Sequence, residues 1–348
     1  MKKLLALCSL LLTPGLAAGL PLPAGSAPSP CTLAAEDRAW LQGALDAWEA
    51  ARRDALRLPP GPLPWLVLFD ARCVWHVGPD PSAPAPRADG APASEARLTH
   101  AGAAVPVRGL AHGGSVPLPD GGRVPPRVVS FAATYQGGEK PYLVMSLPTV
   151  WRAEPRHAAD PHLDRLLRGV FVHEMTHTAQ ARAFGRRLDE LAERHGLGDE
   201  LDDDVVQRRF GTAAGFREAY EAERDLLYRA AGETDPGRRR ALAADALARM
   251  SERRARYFTG ADTLYAELED LFLTLEGAAN WAAYRAAVAE GMSEADALAL
   301  IRRGGRFWSQ DQGLALFLAA DAVVPGWQAR AFGAEPVSVR EMLAAAVR

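Results

Sequence analysis

Cysteine, long apolar runs and excess positive charge are all scarce in this chain of 348 residues. Three cysteines are too few for a disulfide-dense small protein. No segment after the N-terminus has the run of about 18 apolar residues that crosses a bilayer. Lysine and arginine number 40 against 43 acidic residues, so the formal net charge is −3 and no bulk positive field is available for nucleic acid. We expect no nucleic-acid partner and no stable membrane insertion.

The N-terminus has the pattern of an export signal. Two lysines precede an apolar stretch, and small residues follow a Pro-Gly break. We predict a signal peptide at residues 1–19, cleaved within 18–27, and a linker at 20–30 that is rich in Pro, Ala, Gly and Ser. A buried N-terminal helix and a lipid anchor on Cys8 are the alternatives. The mature protein is expected to be secreted or periplasmic.

The composition is that of a folded globular protein, with 48% hydrophobic and 24% charged residues. Removal of the signal peptide would leave two cysteines, Cys31 and Cys73. In an oxidising compartment such a pair favours one disulfide between the new N-terminus and the first strand region, and two buried thiols are the alternative.

Strand patterns are confined to the first half of the chain. Short apolar or alternating runs at residues 65–69 and 73–77 lie between Pro, Gly and Asp, which is typical of strands. Residues 97–148 contain three or four further strand-like runs, and the last two form a predicted hairpin across the Gly-Gly turn at 136–140. Residues 78–94 are expected to form a loop.

Helical periodicity occurs at residues 32–57 and again from about residue 160 to the end. A β-rich half followed by a helical half predicts the α+β class. We expect a β-rich N-terminal subdomain at residues 31–160 and a helical subdomain with the functional site at residues 161–348.

The strongest motif is His173-Glu174-Met175-Thr176-His177, which lies inside a helical run. On a helix, His173 and His177 are one turn apart on one face, so both imidazoles can point at a single ion. Glu174 is offset around the helix, where it can hydrogen-bond a water at the ion and act as general base. The sequence therefore predicts one zinc ion per chain, held by His173 and His177. A hydrogen-bonded pair on the helix surface is the alternative.

A catalytic zinc site usually has three protein ligands, so a third is expected downstream. Glu276 is followed at once by three small residues on a helix otherwise rich in large ones. Small residues would let that helix approach the metal helix closely enough for Glu276 to reach the ion. Asn280, one turn later, faces the same way and is predicted to hydrogen-bond a ligand histidine.

The two segments resemble the signature helices of the gluzincin metallopeptidases, in particular bacterial collagenases and aminopeptidase-N-like enzymes. The shared patterns are His-Glu-x-Thr-His-x-x-Gln at residues 173–180 and Glu-Gly-x-Ala-x-Trp at residues 276–281. The resemblance implies a zincin-like fold, in which a small β-sheet precedes the active-site helix. It also implies His173, His177 and Glu276 as zinc ligands and Glu174 as the catalytic base. A helical insertion would fill residues 186–260.

Glu221 is a rival third ligand, because Glu221 and Asp225 have the Glu-x-x-x-Asp spacing of the thermolysin-like branch. The neighbours of Glu221 are charged, which is typical of a solvated helix face with intrahelical pairs. We therefore favour Glu276.

Other polar residues carry weaker signals. His76, His100 and His112 lack ligand spacing and are expected in surface loops. Arg253 and Arg254 lie among acidic residues and are expected on a solvated helix face. A second electrophile usually stabilises the oxyanion beside zinc, and spacing does not choose among five candidates. These are Tyr265, Tyr284, His157, His162 and Arg302.

These patterns predict a secreted or periplasmic zinc metallopeptidase that hydrolyses peptide bonds, with Glu174 as general base. An extended peptide or protein substrate is expected to pair with the strand at residues 142–147. A non-catalytic zinc-stabilised envelope binding protein and a zinc amidase for a non-protein amide are the alternatives. A purely structural site has no need of a general base beside its first ligand, which favours an enzyme.

Overall fold

A computed structural model describes residues 31–78, 94–198 and 201–348 of the chain. The predicted signal peptide and linker lie outside these residues, as does most of the predicted loop at residues 78–94.

The described residues form a mixed α+β structure with twelve α-helices, which confirms the predicted class. Short π-helical turns extend the first and third helices, at Ala51–Ala55 and Ala181–Gly185. None of the helices in the described part of the chain is long and apolar enough to cross a membrane. The helices are α1 (Ala35–Ala50), α2 (Pro148–Ala153), α3 (Leu163–Gln180), α4 (Arg186–His195), α5 (Val205–Phe210), α6 (Ala214–Gly232), α7 (Pro236–Tyr257), α8 (Tyr265–Ala289), α9 (Glu294–Arg302), α10 (Trp308–Val323), α11 (Trp327–Ala331) and α12 (Val339–Ala346).

Six of the eight described strands form one mixed sheet in the order β3-β4-β2-β1-β8-β7, and β5 and β6 form a separate ribbon. Among the described strands, β1 and β8 are the one parallel pair in this sheet. The strands at residues 65–69 and 73–77 and the hairpin of β7 and β8 confirm the sequence predictions. The strands are β1 (Trp65–Phe69), β2 (Cys73–Val77), β3 (Ser94–His100), β4 (Ala103–Ala111), β5 (Val116–Pro117), β6 (Arg123–Val124), β7 (Ser130–Tyr135) and β8 (Lys140–Ser146).

The hairpin of β7 and β8 determines which strand is at the sheet edge. Its turn contains Gly137 and Gly138 with φ angles of 71° and 94°, a conformation that glycine adopts without a Cβ clash. β8 pairs with β7 on one side and β1 on the other, so the predicted pairing of a substrate with residues 142–147 is wrong. The continuous apolar run of β8 reflects a strand that is buried on both faces. β7 is therefore the edge strand at this end of the sheet, and β3 is at the other end.

Side chains that alternate along the strands supply two cores. Leu66 and Leu143 lie in the core that the sheet shares with α1 and α3, where Trp40 and Phe171 meet edge to face at 6.3 Å. On the opposite face, a smaller core covers neighbouring residues such as Val144. This alternation is the reason that one run of apolar residues can bury both faces of the sheet.

The disulfide expected between Cys31 and Cys73 is present in the structure, with Cα atoms 5.7 Å apart. It joins the chain just before α1 to the start of β2. Both cysteines are buried at the edge of the main core, so the link ties α1 to the sheet that α1 covers.

Arg253 is buried rather than solvated, so the prediction for the α7 surface is wrong there. Its guanidinium bonds to Glu223 of α6 at 2.8 Å and to Glu269 of α8 at 2.9 Å. It also lies 4.7 Å from the ring centroid of Phe216. Arg254 pairs with Glu269 as well, at 2.7 Å. The charges meet between helices rather than along one helix, and sequence spacing reports only pairs along one helix.

Gly277 is the point where α8 crosses α10. A Cβ atom there would lie 2.5 Å from the backbone carbonyl of Gly313, so the two backbones touch. Gly277, the small residue directly after Glu276, therefore allows α8 to pack closely on α10. It was predicted instead to allow close packing of α8 on the metal helix. The approach of α8 to α3 occurs instead near Ala283, which lies 3.9 Å from the Cβ position of Gly169.

The expectation of surface loops is wrong for all three histidines, because His76 lies in β2, half-buried His100 lies at the end of β3, and His112 lies in a loop but is buried. His112 is buried, its Nε2 lies 3.1 Å from the Asp70 carbonyl, and its Nδ1 accepts a hydrogen bond from the Gly114 amide. His76 is part of β2 and accepts a hydrogen bond from Trp65 Nε1 at 3.0 Å. Burial lowers the pKa of His76 to about 4. These contacts give the two histidines structural roles.

Candidate metal centre

His173 and His177 lie on the buried face of α3, one turn apart. Phe171 and Met175 on the same helix are fully buried in the main core, which holds α3 in place. The two imidazole rings are nearly perpendicular, with centroids 4.6 Å apart. The helix therefore brings both side chains to one point, as the one-turn spacing predicts.

Glu276 of α8 completes the group. Its Oε2 lies 3.3 Å from His173 Nε2, and its Oε1 lies 3.3 Å from His177 Nε2. The side chain has no exposed surface. One ligand atom from each of the three residues lies within 4.8 Å of the other two, which is close enough to hold one metal ion. We call His173, His177 and Glu276 the trio.

Asn280 makes the contact that its spacing predicted. His173 Nδ1 donates to Asn280 Oδ1 at 2.8 Å, and Asn280 Nδ2 donates to the backbone carbonyl of Gln310 in α10 at 3.2 Å. Because the amide nitrogen has an acceptor, the amide oxygen must face the histidine. The proton of neutral His173 is therefore on Nδ1, and Nε2 has a free lone pair toward Glu276.

Gln180 accepts the Nδ1 proton of the second histidine, as Asn280 does for the first. His177 Nδ1 donates to Gln180 Oε1 at 3.0 Å, and Gln180 Nε2 points at the Leu275 carbonyl of α8 at 3.4 Å. No role was predicted for Gln180, which is the last residue of the shared pattern at residues 173–180. Its position three residues after His177 on one helix face was the available signal.

The trio holds a negative charge in the protein interior. Burial acts to lower the pKa of both histidines and does so for His173, whereas Glu276 overcomes burial and raises the pKa of His177. Burial would raise the pKa of Glu276, but His177 and His173 hold it at about 2. The carboxylate is therefore ionised in the interior, where an uncompensated charge is costly.

The residues present fit a metal ion. With both Nδ1 atoms donating, the two Nε2 lone pairs of neutral histidines face each other at 2.9 Å, and neither Glu276 oxygen receives a well-formed hydrogen bond. A proton on one histidine relieves only part of this repulsion, whereas a divalent cation satisfies all three side chains. Two imidazole nitrogens and one carboxylate are a donor set typical of catalytic zinc.

Glu174 lies beside the trio and is almost completely buried, with 1% of its surface exposed. Neither of its oxygens makes a well-formed hydrogen bond. Burial raises its pKa to about 8, and the nearby side chain of Ser130 and amide of Ala132 in β7 lower it only in part. A carboxyl group with that pKa can take up and release a proton near neutral pH.

Glu221 does not join the trio. It is exposed on α6, and its partner in the thermolysin-like spacing, Asp225, is exposed and pairs with Arg224 at 2.8 Å. The buried face of α6 presents Glu223 instead, which bonds to Arg253. The rival prediction for Glu221 is therefore wrong, and the charged neighbourhood was the correct signal for an exposed position.

Three of the five candidate electrophiles make contacts with side chains outside the trio. Tyr265 packs edge to face on Phe210 at 5.3 Å, Arg302 bonds to Asp311 at 2.8 Å, and His157 lies against the Trp151 ring. Their side chains take part in structural contacts.

Comparisons with protein-family models, with curated protein sequences and with solved structures find no match to this chain.

Proposed function

We propose that the chain is a secreted or periplasmic zinc metallopeptidase of gluzincin type, with a zincin-like arrangement of the sheet, α3 and α8. The observation that carries this proposal is the convergence of two histidine lone pairs and an ionised, buried Glu276, beside a buried Glu174 that makes no well-formed hydrogen bond. A structural metal site needs the first three groups but has no use for the fourth.

His173, His177 and Glu276 would hold one zinc ion. Zinc in such a site acts as a Lewis acid toward a carbonyl oxygen and lowers the pKa of a water molecule that it binds.

Glu174 supplies the proton chemistry of the proposed reaction. Its carboxylate takes the proton of the attacking water, and the resulting carboxylic acid gives that proton to the nitrogen of the leaving amine. In the metal-free protein, the pKa of about 8 keeps most of the Glu174 carboxyl protonated at neutral pH. A bound dication would lower this pKa and favour the first step.

The substrate chain is proposed to lie along β7. Among the described strands, β7 is one of the two edges of the sheet, and Glu174 lies next to its residues Ser130 and Ala132. An extended peptide that adds to this edge would place its carbonyl groups near Glu174. The Cys31–Cys73 disulfide supports the proposal of an oxidising, extracytoplasmic location.

The test is a digest of a mixed peptide library, read by mass spectrometry, with the zinc-loaded protein, the protein after chelation and the Glu174→Gln variant. Glu174→Gln keeps the side-chain shape, so it is expected to retain zinc while turnover falls by about 10²- to 10⁴-fold. Glu221→Gln, an exposed site, is the matched control and is expected to cleave like the wild type. Cleavage that survives in Glu174→Gln, or that does not need zinc, would contradict the proposal.

A further inference from the structure

A small cavity opens beside the trio, between α3, α8 and the turn that joins α9 to α10. It encloses about 30 Å³. Two of its lining residues, His173 and Glu174, belong to the proposed catalytic centre. The other lining residues are Leu166, Gly169, Val170, Asn280, Ala283, Ile301, Arg303 and Gln310.

The wall of this cavity is mainly apolar. Leu166 and Val170 lie one turn apart on α3, and Ala283 and Ile301 face them from α8 and α9. Both polar atoms of the Asn280 amide are already hydrogen-bonded, the oxygen to His173 and the nitrogen to the Gln310 carbonyl. The interior therefore selects a group by size and lack of charge rather than by hydrogen bonding.

Gly169 and Ile301 set the depth of the cavity. A Cβ atom on Gly169 would lie 3.2 Å from Ile301 Cδ1, so Ile301 reaches over the one position of α3 that has no side chain. Ile301 is 6% exposed and packed in the main core. The cavity volume of about 30 Å³ is about one fifth of that of a cavity of about 150 Å³ that binds benzene, so it leaves room for a short side chain but not for an aromatic ring.

We propose that this cavity is the specificity pocket of the enzyme and that it accepts a short, uncharged side chain, such as that of alanine, from the residue next to the scissile bond. The assignment rests on the proposed function, because a side chain in the cavity lies beside His173 and Glu174. Arg303 also lines the cavity, and its guanidinium lies 5.1 Å from the Phe307 ring centroid.

The test measures binding of N-acetyl amino-acid hydroxamates to the zinc-loaded protein. A hydroxamate binds zinc without being hydrolysed and presents one side chain to the neighbouring pocket. The probes carry the side chains of glycine, alanine, leucine and phenylalanine. The variants are Ile301→Ala, which deepens the pocket, Gly169→Ala, which fills it, and Leu298→Ala, a control on the same helix that does not line the cavity.

Wild type is expected to bind the alanine probe at least about tenfold more tightly than the phenylalanine probe, since one methylene group changes such selectivity by about 10- to 200-fold. Ile301→Ala should reduce this ratio by about tenfold or more. Gly169→Ala should weaken binding of the alanine probe relative to binding of the glycine probe. Leu298→Ala should keep the wild-type ratios of probe affinities.

The pocket assignment would be overturned if the ratio of alanine-probe to phenylalanine-probe affinity were equal in all four proteins. It would also be overturned if no hydroxamate bound to the zinc-loaded wild type. Hydrolysis of the peptide library is measured on the same preparations. Size-selective binding without any peptide cleavage supports the pocket and contradicts the proposed peptidase function, so the two failures are distinguishable.

Discussion

Replacement of Asn280 by alanine tests whether this amide orients a metal ligand. In the folded protein, Asn280 accepts a hydrogen bond from His173 Nδ1 at 2.8 Å and donates one to the Gln310 carbonyl at 3.2 Å. Asn280→Ala leaves the Nδ1 proton without this acceptor, at a cost of about 1–3 kcal/mol for a buried donor. His173 can then rotate or shift its proton to Nε2, which removes the lone pair that zinc needs.

The expected effect is a 10- to 100-fold loss of zinc affinity, the range found for groups that orient metal ligands. That loss corresponds to about 1.4–2.7 kcal/mol. The assay is competition for zinc with a fluorescent chelator, together with thermal unfolding of the metal-free protein. Gln312→Ala is the matched control, because Gln312 is a fully buried amide on α10 that bonds to Glu223.

A second substitution, Gln180→Glu, is expected to change zinc affinity in the opposite direction. Gln180→Glu replaces a neutral acceptor for His177 Nδ1 with a carboxylate, which makes the imidazole a more basic ligand. Zinc affinity is expected to rise in Gln180→Glu and to fall in Asn280→Ala. Equal affinities in Asn280→Ala and Gln312→Ala would refute the reasoning, because the loss would then reflect a general loss of packing.

Three further predictions follow from the buried charges. Glu276→Ala should lose zinc to a mild chelator, whereas Glu221→Ala at an exposed site should keep zinc and change stability by less than about 0.5 kcal/mol; equal zinc retention would argue against Glu276 as a ligand. Arg253→Met removes the cation that the buried carboxylates of Glu223 and Glu269 share. Urea unfolding should therefore show a free energy of unfolding lower by about 3–5 kcal/mol, and a decrease under about 1 kcal/mol would contradict the buried ion pair. Burial raises the pKa of Asp37 to about 6 from 3.8, so the folded state binds this proton more tightly; the stabilisation is complete below about pH 4 and is lost as pH rises through 6. The stability difference between wild type and Asp37→Asn should therefore change across that window in urea titrations, and a constant difference would show that Asp37 is not buried as described.

Features encoded by short stretches of sequence were predicted well. The strands at residues 65–69 and 73–77 and the β7–β8 hairpin follow from apolar runs bounded by turn residues. The one-turn spacing of His173 and His177 required only a helix, and α3 is that helix. Asn280 was likewise placed correctly because it is one turn from Glu276.

Several features that depend on contacts between distant elements were not predicted. The apolar run at residues 142–147 does not show that β1 covers one of its edges and β7 the other. The charged residues around Arg253 do not show that α6 and α8 close over that side chain. Gly277 is small because Gly313, far along the chain, touches it, and no local pattern contains that pair.

The sequence by itself determined the class of secondary structure along the chain and the residues with the chemistry for a metal ligand or a base. Those properties depend on side-chain type and on a spacing of three or four residues within one helix. Only the tertiary structure decided between Glu276 and Glu221 as the residue that meets the histidines, and showed that Gln180 sets the tautomer of His177. These outcomes arise where α3, α8 and α10 pack together, and the geometry of such packing depends on all the side chains that the helices bury.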